Sequence, residues 1–284
     1  MKNVIVVTGG AGFIGSNLVK RLVKEGCEVV SLDNYSTGTK DNHIEGVTYV
    51  EGDIETIEYI KGDYEICFHL AAQSRVQPSF DDPTETLRAN VVGTSAVMEW
   101  SKVNDCQVIY AGSSSKHNDP TDSPYAMYKF LGEEILRLYR NSFDGYNQIC
   151  RFYNAYGPNE SLDIKNGNVI GIWRKLIEEG KPITIVGDGH QRRDFIHVDD
   201  IVDALIKVWN QDVVHNDGWE LGVGKSYSIN ELFQFFQERY PKIKSVNIPD
   251  QKGNYRETRS TCHDARKILG WEPKDRLEDY IKSL

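Results

Sequence analysis

Cysteine is sparse in this sequence of 284 residues, and its arrangement excludes cysteine-based frameworks. The thiols are odd in number, widely separated and without any Cys-x-x-Cys pair: Cys27, Cys67, Cys106, Cys150 and Cys262. A disulfide framework needs an even set of cysteines, and a structural metal site needs closely spaced ligands. The sequence therefore predicts buried, reduced thiols in a reducing compartment and no bound metal.

Long hydrophobic runs are also missing. The apolar stretch Val4–Val7 near the N-terminus is four residues long, which is too short for a signal-peptide core or a membrane span. No internal repeat and no low-complexity tract interrupts the sequence. We therefore expect a cytoplasmic protein that has no membrane partner.

Positive charge is in deficit. Lysine and arginine number 33 against 42 aspartate and glutamate residues, so the formal net charge is -9. A surface of this sign repels nucleic acid and anionic lipid on average. We expect no nucleic-acid partner, and a negatively charged substrate would need a local basic pocket.

Short apolar runs alternate with longer helical patterns through the first two-thirds of the chain. The runs that predict strands are Val4–Val7, Val29–Leu32, Val47–Val50, Ile66–Leu70, Val108–Ala111 and Gln148–Phe152, and the helical patterns span 13–25, 84–104 and 124–141. Such alternation is typical of a parallel sheet that helices cover on both faces. The sequence predicts an α/β fold with a Rossmann-like, doubly wound parallel sheet.

The pattern changes near residue 155, where Gly157-Pro158 breaks the alternation. The later segments predict helices at 168–179, 199–210, 229–239 and 262–269, and strands at Ile183–Val186 and Arg192–Val198. We expect residues 1–155 to form the main domain. Residues 156–284 would form a smaller α/β lobe, with some segments returning to the main domain.

Residues 8–15 read Thr-Gly-Gly-Ala-Gly-Phe-Ile-Gly between the first predicted strand and the first predicted helix. Glycine is needed where the backbone turns sharply, where it approaches a pyrophosphate and where a helix packs closely on a strand. Free N–H groups at the start of the helix attract phosphate. We therefore interpret Gly9, Gly12, Phe13, Ile14 and Gly15 as a dinucleotide-binding turn rather than an ordinary glycine turn.

Asp33 ends the second predicted strand, at the distance from the turn where a ribose-binding carboxylate is expected. A carboxylate there accepts hydrogen bonds from both adenosine ribose hydroxyls and repels a 2′-phosphate, so the sequence predicts NAD in preference to NADP. A turn or helix cap is the alternative role for Asp33. Asp53 with Ile54, after the third strand, and Leu70-Ala71-Ala72, after the fourth, fit the same cofactor, and Asp53 is a candidate to bind the adenine amino group.

Tyr125 and Lys129 are four residues apart in a segment that begins Ser123-Pro124, a sequence typical of a helix start. This spacing places both side chains on one helix face. An ammonium beside a phenol stabilises phenolate, so we expect Lys129 to lower the pKa of Tyr125 toward neutrality and the phenolate to take a substrate proton. Two surface residues on an amphipathic helix are the alternative. Ser113, which ends the fifth predicted strand, favours the catalytic interpretation because ligands bind at the carboxyl ends of parallel strands.

These motifs belong to a longer set spread along the sequence. Through that set the chain resembles the extended short-chain dehydrogenase/reductases, specifically the NAD-dependent sugar-nucleotide epimerase/dehydratase group. The matching stretches are Thr8–Gly15, Asp33–Gly38, His69–Gln73, Asn90 with Gly93-Thr94, Ser113, Tyr125–Lys129, Arg151–Pro158, Arg193–Asp200 and Leu269–Trp271. They follow the family's order over nearly the whole chain. As a set they are specific for the family and much less so for one substrate.

The resemblance implies further site residues. It implies that NAD is also contacted by Asn34, Ser36, Thr37, Gly38, Gln73, Asn90, Tyr125, Lys129 and Phe152. It implies that a nucleotide-sugar substrate is contacted by Ser113, Ser114, Tyr125, Asn154, Asn168, Val169, Arg193 and Arg256. Within that set, Asn154 would contact the phosphates and Arg193 the diphosphate, which supplies the local positive charge. A surface salt bridge is the alternative for Arg193, and Arg256 would replace a second arginine that is absent at Gln251.

The residues after Ser113 select among the family's reactions. Dehydratases and uronate decarboxylases of this family carry acidic residues there, whereas this chain has Ser114, Ser115 and Lys116. The resemblance therefore implies C4 epimerisation of a UDP-sugar such as UDP-glucose, UDP-galactose or an N-acetylated form. Tyr125 would deprotonate the 4-hydroxyl while hydride leaves C4 to NAD and later returns to the other face. A dehydratase, UDP-glucuronate decarboxylase or reductase of the same fold, and a non-catalytic NAD-binding protein, are the alternatives.

Two further expectations follow from the resemblance. The loop 113–120 departs from the family pattern. Thr258 falls near a position that limits the size of the sugar, where a small residue admits an N-acetylated sugar. Members of the family often dimerise through two helices. We therefore expect a homodimer formed by the helices predicted at 84–104 and 124–141.

Overall fold

The computed structural model describes residues 4–211 and 213–284, and its main layer is a seven-stranded sheet. These strands are β1 Val4–Thr8, β2 Glu28–Asp33, β3 Thr48–Glu51, β4 Ile66–His69, β5 Gln107–Ser113, β6 Asn147–Phe152 and β10 Trp219–Leu221. Their order is β10-β6-β5-β4-β1-β2-β3, and all neighbouring pairs are parallel. The strand order reverses beside β1, and a crevice at the carboxyl ends of the strands is expected at that point.

Helices cover both faces of this sheet. The α-helices are α1 Phe13–Lys24, α2 Val76–Asp81, α3 Pro83–Leu87, α4 Gly93–Asn104, α5 Pro124–Ser142, α6 Val169–Glu178, α7 Val198–Trp209, α8 Ile229–Arg239, α9 Asp264–Leu269 and α10 Leu277–Ser283. Ile5 and Val7 of β1 pack in one core with α1 and α7, and Val6 packs in another with α4 and α5. Because alternate residues of a strand point to opposite faces, this burial explains the continuous apolar runs.

The smaller part of the chain builds a second core. Its strands are β7 Asn154–Tyr156, β8 Ile183–Val186, β9 Arg192–His197, β11 Ser226–Ser228, β12 Ser245–Ile248 and β13 Glu257–Thr258. β7, β11 and β13 all pair with β9, and β12 pairs with β8. Trp173 of α6 and Phe236 of α8 are buried in this core. β10 belongs instead to the main sheet, where it pairs with β6.

The helix predicted over 84–104 is interrupted. α3 begins at Pro83, where the Asp82 side chain accepts a hydrogen bond from Glu85 N, and a π-helical segment, Arg88–Val92, separates α3 from α4. A Cβ at Gly93 would lie 2.2 Å from Ile54 Cγ2, so the glycine lets the start of α4 pack closely against Ile54. The extra residue of a π-turn is a common device at functional sites.

The helix predicted at 262–269 is α9, and one more helix, α10, follows it. Leu277 and Ile281, one helical turn apart, are buried in the second core. Within the ranges that the structure describes, no helix has the length and the apolar character needed to cross a lipid bilayer.

Candidate active site

A cleft of about 870 Å³ opens at the carboxyl ends of β1, β2, β4 and β5. Its other wall comes from the smaller part of the chain, with segments between residues 152 and 168 and between 253 and 258. The cleft therefore lies where the strand order reverses, as expected for an open parallel sheet.

The glycine-rich turn forms one end of this cleft. Gly9 has φ +74°, and a Cβ there would lie 2.8 Å from the backbone N of Ala71. A Cβ at Gly15 would lie 2.0 Å from Gly9 O, so this glycine permits the close packing of α1 on β1. At Gly12 the nearest atom to a Cβ is Gly9 O at 3.2 Å, and the residue precedes α1 without a side-chain cap. The first N–H groups of α1 therefore remain available for a phosphate.

Asp33 braces the turn from the end of β2. Its Oδ2 accepts a hydrogen bond from Ala11 N at 2.9 Å, and its Oδ1 accepts one from Tyr35 N at 2.8 Å. The carboxylate lines the cleft although the residue is 7% exposed. A fixed negative charge at this position suits ribose hydroxyls and opposes a 2′-phosphate.

Most of the residues predicted to contact cofactor or substrate line this one cleft. They are Gly9, Gly12, Phe13, Ile14, Gly15, Asp33, Asn34, Ser36, Thr37, Ile54, Leu70, Ala71, Ala72, Gln73, Ser113, Ser114, Tyr125, Lys129, Phe152, Asn154, Asn168 and Arg193. A cradle that a single Cβ would fill, a free helix start and a fixed acid at the end of β2 together fit a dinucleotide.

Three residues predicted to bind cofactor, Asp53, Asn90 and Gly38, lie outside the cleft lining. Asp53 Oδ1 accepts hydrogen bonds from Asn34 Nδ2 at 2.8 Å and Arg88 Nη2 at 3.2 Å, and these donors lower the pKa of Asp53. Asn90, in the π-helical segment, is buried and bonds to both the N and the O of Gln73, so it holds a loop that lines the cleft. Gly38 packs against Ala11, where a Cβ would lie 2.9 Å from the backbone.

Ser113 and Tyr125 face each other at the reaction end of the cleft. The Ser113 Oγ accepts hydrogen bonds from Ser115 N at 3.2 Å and Ser115 Oγ at 3.0 Å. Two accepted bonds leave the Ser113 proton free to be donated. A hydrogen bond with Ser113 acts on the Tyr125 phenol, where it opposes the larger rise in pKa that burial causes.

The expected effect of Lys129 on Tyr125 is wrong for this structure. Burial raises the pKa of Tyr125 above its ordinary value of 10.0, and the opposing influences are Ser113 and the positive charge of Arg75. The Lys129 Nζ instead donates to Ala111 O at 2.9 Å. Burial also lowers the pKa of Lys129 to about 8. The ammonium is thus directed at the backbone of β5, one helical turn from the phenol.

The substrate side of the cleft carries Asn154, Asn168 and Arg193. Asn168 caps α6, since its Oδ1 accepts from Gly171 N at 2.8 Å, and its Nδ2 donates to Ala155 O at 2.7 Å. Val169 begins α6 and lies outside the cleft lining. The Arg193 guanidinium donates to Tyr255 O at 2.7 Å and Asn254 Oδ1 at 2.6 Å, and burial lowers its pKa to about 10.

Arg256 does not reach this cleft, contrary to the prediction for it. Its guanidinium pairs with Asp188 Oδ1 at 3.1 Å on the surface, and its side chain is 68% exposed. Of the two neighbours Tyr255 and Arg256 in the irregular segment before β13, Arg256 is held on the surface by its ion pair with Asp188. Tyr255 is the one that lines the cleft.

Sequence reasoning missed Arg75, Glu160 and Tyr255, which also line the cleft. Arg75 follows Ala71-Ala72-Gln73 in the loop after β4, so its position after a parallel strand was the available signal. Nothing local in the sequence marks Glu160 or Tyr255.

Comparison with known proteins gives a family match over most of the chain. Residues 5–222 match the family described as the NAD dependent epimerase/dehydratase family. The UDP-glucose 4-epimerase of Mycolicibacterium smegmatis is 31% identical, in an alignment that covers 97% of this chain and 95% of that protein.

Solved structures give the same picture. The UDP-glucose 4-epimerase of Thermotoga maritima, determined with UDP-glucose, has a TM-score of 0.90 at 29% identity and covers 98% of this chain and 96% of its own. MoeE5, determined in complex with UDP-glucuronic acid and NAD, has a TM-score of 0.86 at 28% identity, with the same coverage of 98% and 96%.

Proposed function

This chain belongs to the NAD-dependent epimerase/dehydratase family, and on that premise we propose that it inverts the C4 hydroxyl of a UDP-sugar. The observation that carries the proposal is that Ser113, at the end of β5, and Tyr125 and Lys129, on α5, line one cleft of about 870 Å³. The segment 114–116 that follows Ser113 contains no carboxylate for elimination chemistry. UDP-glucose, UDP-galactose and their N-acetylated forms are the first candidates, and the small Thr258 in the cleft wall suits the larger ones.

The protein's residues divide the proton work. Tyr125 takes the proton of the 4-hydroxyl, and Ser113 donates its one remaining hydrogen bond to the phenol or to the sugar oxygen in turn. Lys129, whose pKa burial lowers to about 8, stays mostly protonated near neutrality and offers positive charge at the carbonyl end of β5, one helical turn from the phenol. The bound nicotinamide supplies reversible hydride exchange with the sugar carbon.

The binding residues divide by location. The glycine-rich turn and Asp33 would hold the pyrophosphate and the adenosine ribose of NAD. Arg193 and Asn154 would hold the diphosphate of the nucleotide sugar, and Arg193 supplies positive charge inside a chain of net charge -9. The same elements also suit a dehydratase, a UDP-glucuronate decarboxylase or a reductase, so product chemistry decides among them.

The test is product analysis by NMR after incubation with NAD and a panel of UDP-, GDP- and TDP-sugars. We expect a C4 epimer without net NADH. Tyr125→Phe should lower turnover by about 10²- to 10⁴-fold, because the general base is lost, while substrate still binds. Tyr128→Phe is the matched control, since Tyr128 lies three residues further along α5 and outside the cleft lining.

Other products would reject the proposal. A 4-keto-6-deoxy sugar indicates a dehydratase, carbon dioxide release a decarboxylase, and net consumption of NAD(P)H a reductase. Unchanged turnover in Tyr125→Phe would point to a non-catalytic NAD-binding protein.

We also infer a homodimer formed through α4 and α5. These helices pack side by side, and Val103 of α4 and Leu138 of α5, 75% and 53% exposed, give them apolar surface that a partner subunit would cover. Sedimentation velocity tests this, and a monomer across micromolar concentrations would contradict it.

A further inference from the structure

Arg75 is a cation in the cleft wall that the proposed mechanism does not use. It precedes α2 and lines the cleft, and its Nε donates to Asn166 O at 2.8 Å across the opening. Among the described parts of the chain it forms no salt bridge. A guanidinium has five N–H donors, so one bond to a carbonyl leaves most of this group unused.

The position of α2 places Arg75 at the reaction end of the cleft. Tyr125 N, at the start of α5, donates to Ser79 Oγ of α2 at 3.1 Å. The short helix therefore docks directly on the segment that carries the catalytic phenol. The positive charge of Arg75 is close enough to oppose the rise in the pKa of Tyr125. A ligand group beside Arg75 is then also beside the sugar, not beside the adenosine.

No protein carboxylate neutralises this guanidinium within hydrogen-bonding distance in the described residues. The acid that acts on it is Glu160, which also lines the cleft. Glu160 Oε1 is already held by Arg174 Nη1 at 2.9 Å and by the Tyr280 hydroxyl at 3.3 Å. Burial lowers the pKa of Arg75, which means that its charge is poorly solvated and would gain from an anion.

The diphosphate already has a candidate cation elsewhere. Arg193 lies on β9 and is held by Tyr255 O and Asn254 Oδ1, both in the segment leading to β13. Arg75 lies instead in the loop after β4 and contacts Asn166. The cleft thus contains two arginines on different walls. A nucleotide diphosphate that carries a neutral sugar supplies an anion for one of them only.

We propose that Arg75 binds an acidic substituent on the sugar, so that a nucleotide sugar carrying a carboxylate, such as a hexuronate, is preferred to the neutral sugars named above. The inference rests on the proposed function in assuming that the sugar lies beside Tyr125. The planar guanidinium matches the two oxygens of a carboxylate, and charge-assisted bonds of this kind are the stronger ones. The carboxylate of a hexuronate, attached at C5, lies next to C4 and therefore within the same end of the cleft.

The experiment is calorimetric binding to the NAD-loaded Tyr125→Phe protein, which separates recognition from turnover. UDP-glucuronate and UDP-glucose differ at one carbon, where a carboxylate replaces a hydroxymethyl group. We expect UDP-glucuronate to bind more tightly, and Arg75→Gln to weaken its binding by about 10- to 100-fold while changing UDP-glucose binding by less than about threefold. Arg75→Lys should recover part of the loss, because lysine keeps the positive charge but lacks the two parallel N–H donors of the guanidinium.

A control and a second ligand sharpen the result. Arg21→Gln removes the same charge from an exposed pair with Glu25 on α1 and should leave both affinities unchanged. UDP-N-acetylmuramate carries its carboxylate on a lactyl group, and Arg75-dependent binding of this ligand in preference to UDP-glucuronate would keep the acid-binding role but overturn the hexuronate assignment.

Two outcomes overturn the inference as a whole. Equal losses for both UDP-sugars in Arg75→Gln would show that Arg75 contacts a part they share, such as the diphosphate. If protein that retains Arg75 binds UDP-glucuronate no more tightly than UDP-glucose, a carboxylate site is excluded. Carbon dioxide release from UDP-glucuronate by the wild-type enzyme would instead reject C4 epimerisation while supporting uronate recognition, so the two proposals fail separately.

Discussion

At the scale of single residues, Ser113 is the group on whose hydrogen bonds the proposed proton transfer depends. Its oxygen accepts from both the N and the Oγ of Ser115, which leaves its own proton available for donation. Because the Ser113 contact lowers the pKa of Tyr125, the serine makes the phenolate easier to form. Arg75 acts in the same direction through space, and burial acts against both.

Ser113→Ala therefore has a predictable pH signature. Without the hydroxyl, the pKa of Tyr125 rises further, so the acidic limb of the pH profile of kcat/KM should move to higher pH. At neutral pH we expect turnover to fall by about 10- to 100-fold, since a donor to the reacting oxygen is also lost. The measurement is kcat/KM against pH for both proteins.

Ser101→Ala is the control for that experiment. Ser101 is also buried, but it donates to Met98 O within α4, outside the cleft. Its pH profile should match the wild type. An unshifted limb in Ser113→Ala would mean that Ser113 does not influence the phenol.

Residue identities in the site were largely predictable, whereas their interactions were not. Glycine spacing and the Tyr125–Lys129 pair are local patterns that sequence preserves. The partner of Lys129 is Ala111 O, from a strand eighteen residues away, and no local rule supplies it. The prediction for Arg256 failed for a related reason, because its ion pair with Asp188, 68 residues away in the chain, holds it on the surface.

At the scale of elements, the loop between β5 and α5 is fastened by one ion pair. It contains a 3-10 helix, Ser114–His117, whose first residues line the cleft. His117 Nε2 lies 3.0 Å from Glu220 Oε1 of β10. The hydrogen bond to Glu220 raises the pKa of His117 above 6.5, assisted by the charges of Glu220 and Asp217 and opposed by burial and Arg151.

This pair predicts a stability difference that depends on pH. A histidine whose folded-state pKa is raised adds stability that is complete below pH 6.5 and disappears as the pH rises through the raised value. The melting temperature of His117→Gln should therefore lie below that of the wild type in acid and converge with it in alkali. The check is thermal unfolding across that pH range.

His190→Gln provides the comparison, because His190 is exposed and lies in the turn between β8 and β9. It should show no such convergence. A constant gap between His117→Gln and the wild type at every pH would indicate lost packing rather than a lost ion pair.

The elements with the clearest sequence patterns are long and regularly buried. β1, β2 and β5, at five to seven residues, and the long α5 give clear periodic patterns. β10 and β11 have three residues each and β13 has two, which is too few for an alternation to be read. Their strand character comes from distant partners, β6 and β9, and not from their own composition.

At the scale of the whole molecule, one buried arginine joins the two parts of the chain. Arg151 of β6 is fully buried and pairs with Glu133 of α5 at 2.8 Å and with Glu220 of β10 at 2.7 Å. Tyr153 also donates to Glu220, at 2.9 Å. The network links the main sheet to the strand that returns from beyond residue 156.

Arg151→Met should therefore be strongly destabilising. It removes the cation between two buried carboxylates, and breaking a buried pair in this way costs about 3–5 kcal/mol of unfolding free energy. Urea denaturation measures the change. Arg21→Gln, which breaks an exposed pair on α1, should cost less than about 1 kcal/mol, and a similarly small loss in Arg151→Met would show that the network is dispensable.

The return of β10 to the edge of β6 bears on how this chain can be recombined with its relatives. A crossover placed near residue 155, where the sequence pattern changes, would supply β6 and β10 from different parents. The hybrid would then have to match Arg151 to a foreign partner at position 220. Junctions placed after Leu221 keep β10, Arg151 and Glu220 from one parent. The change of sequence pattern near residue 155 is therefore the wrong place for a crossover.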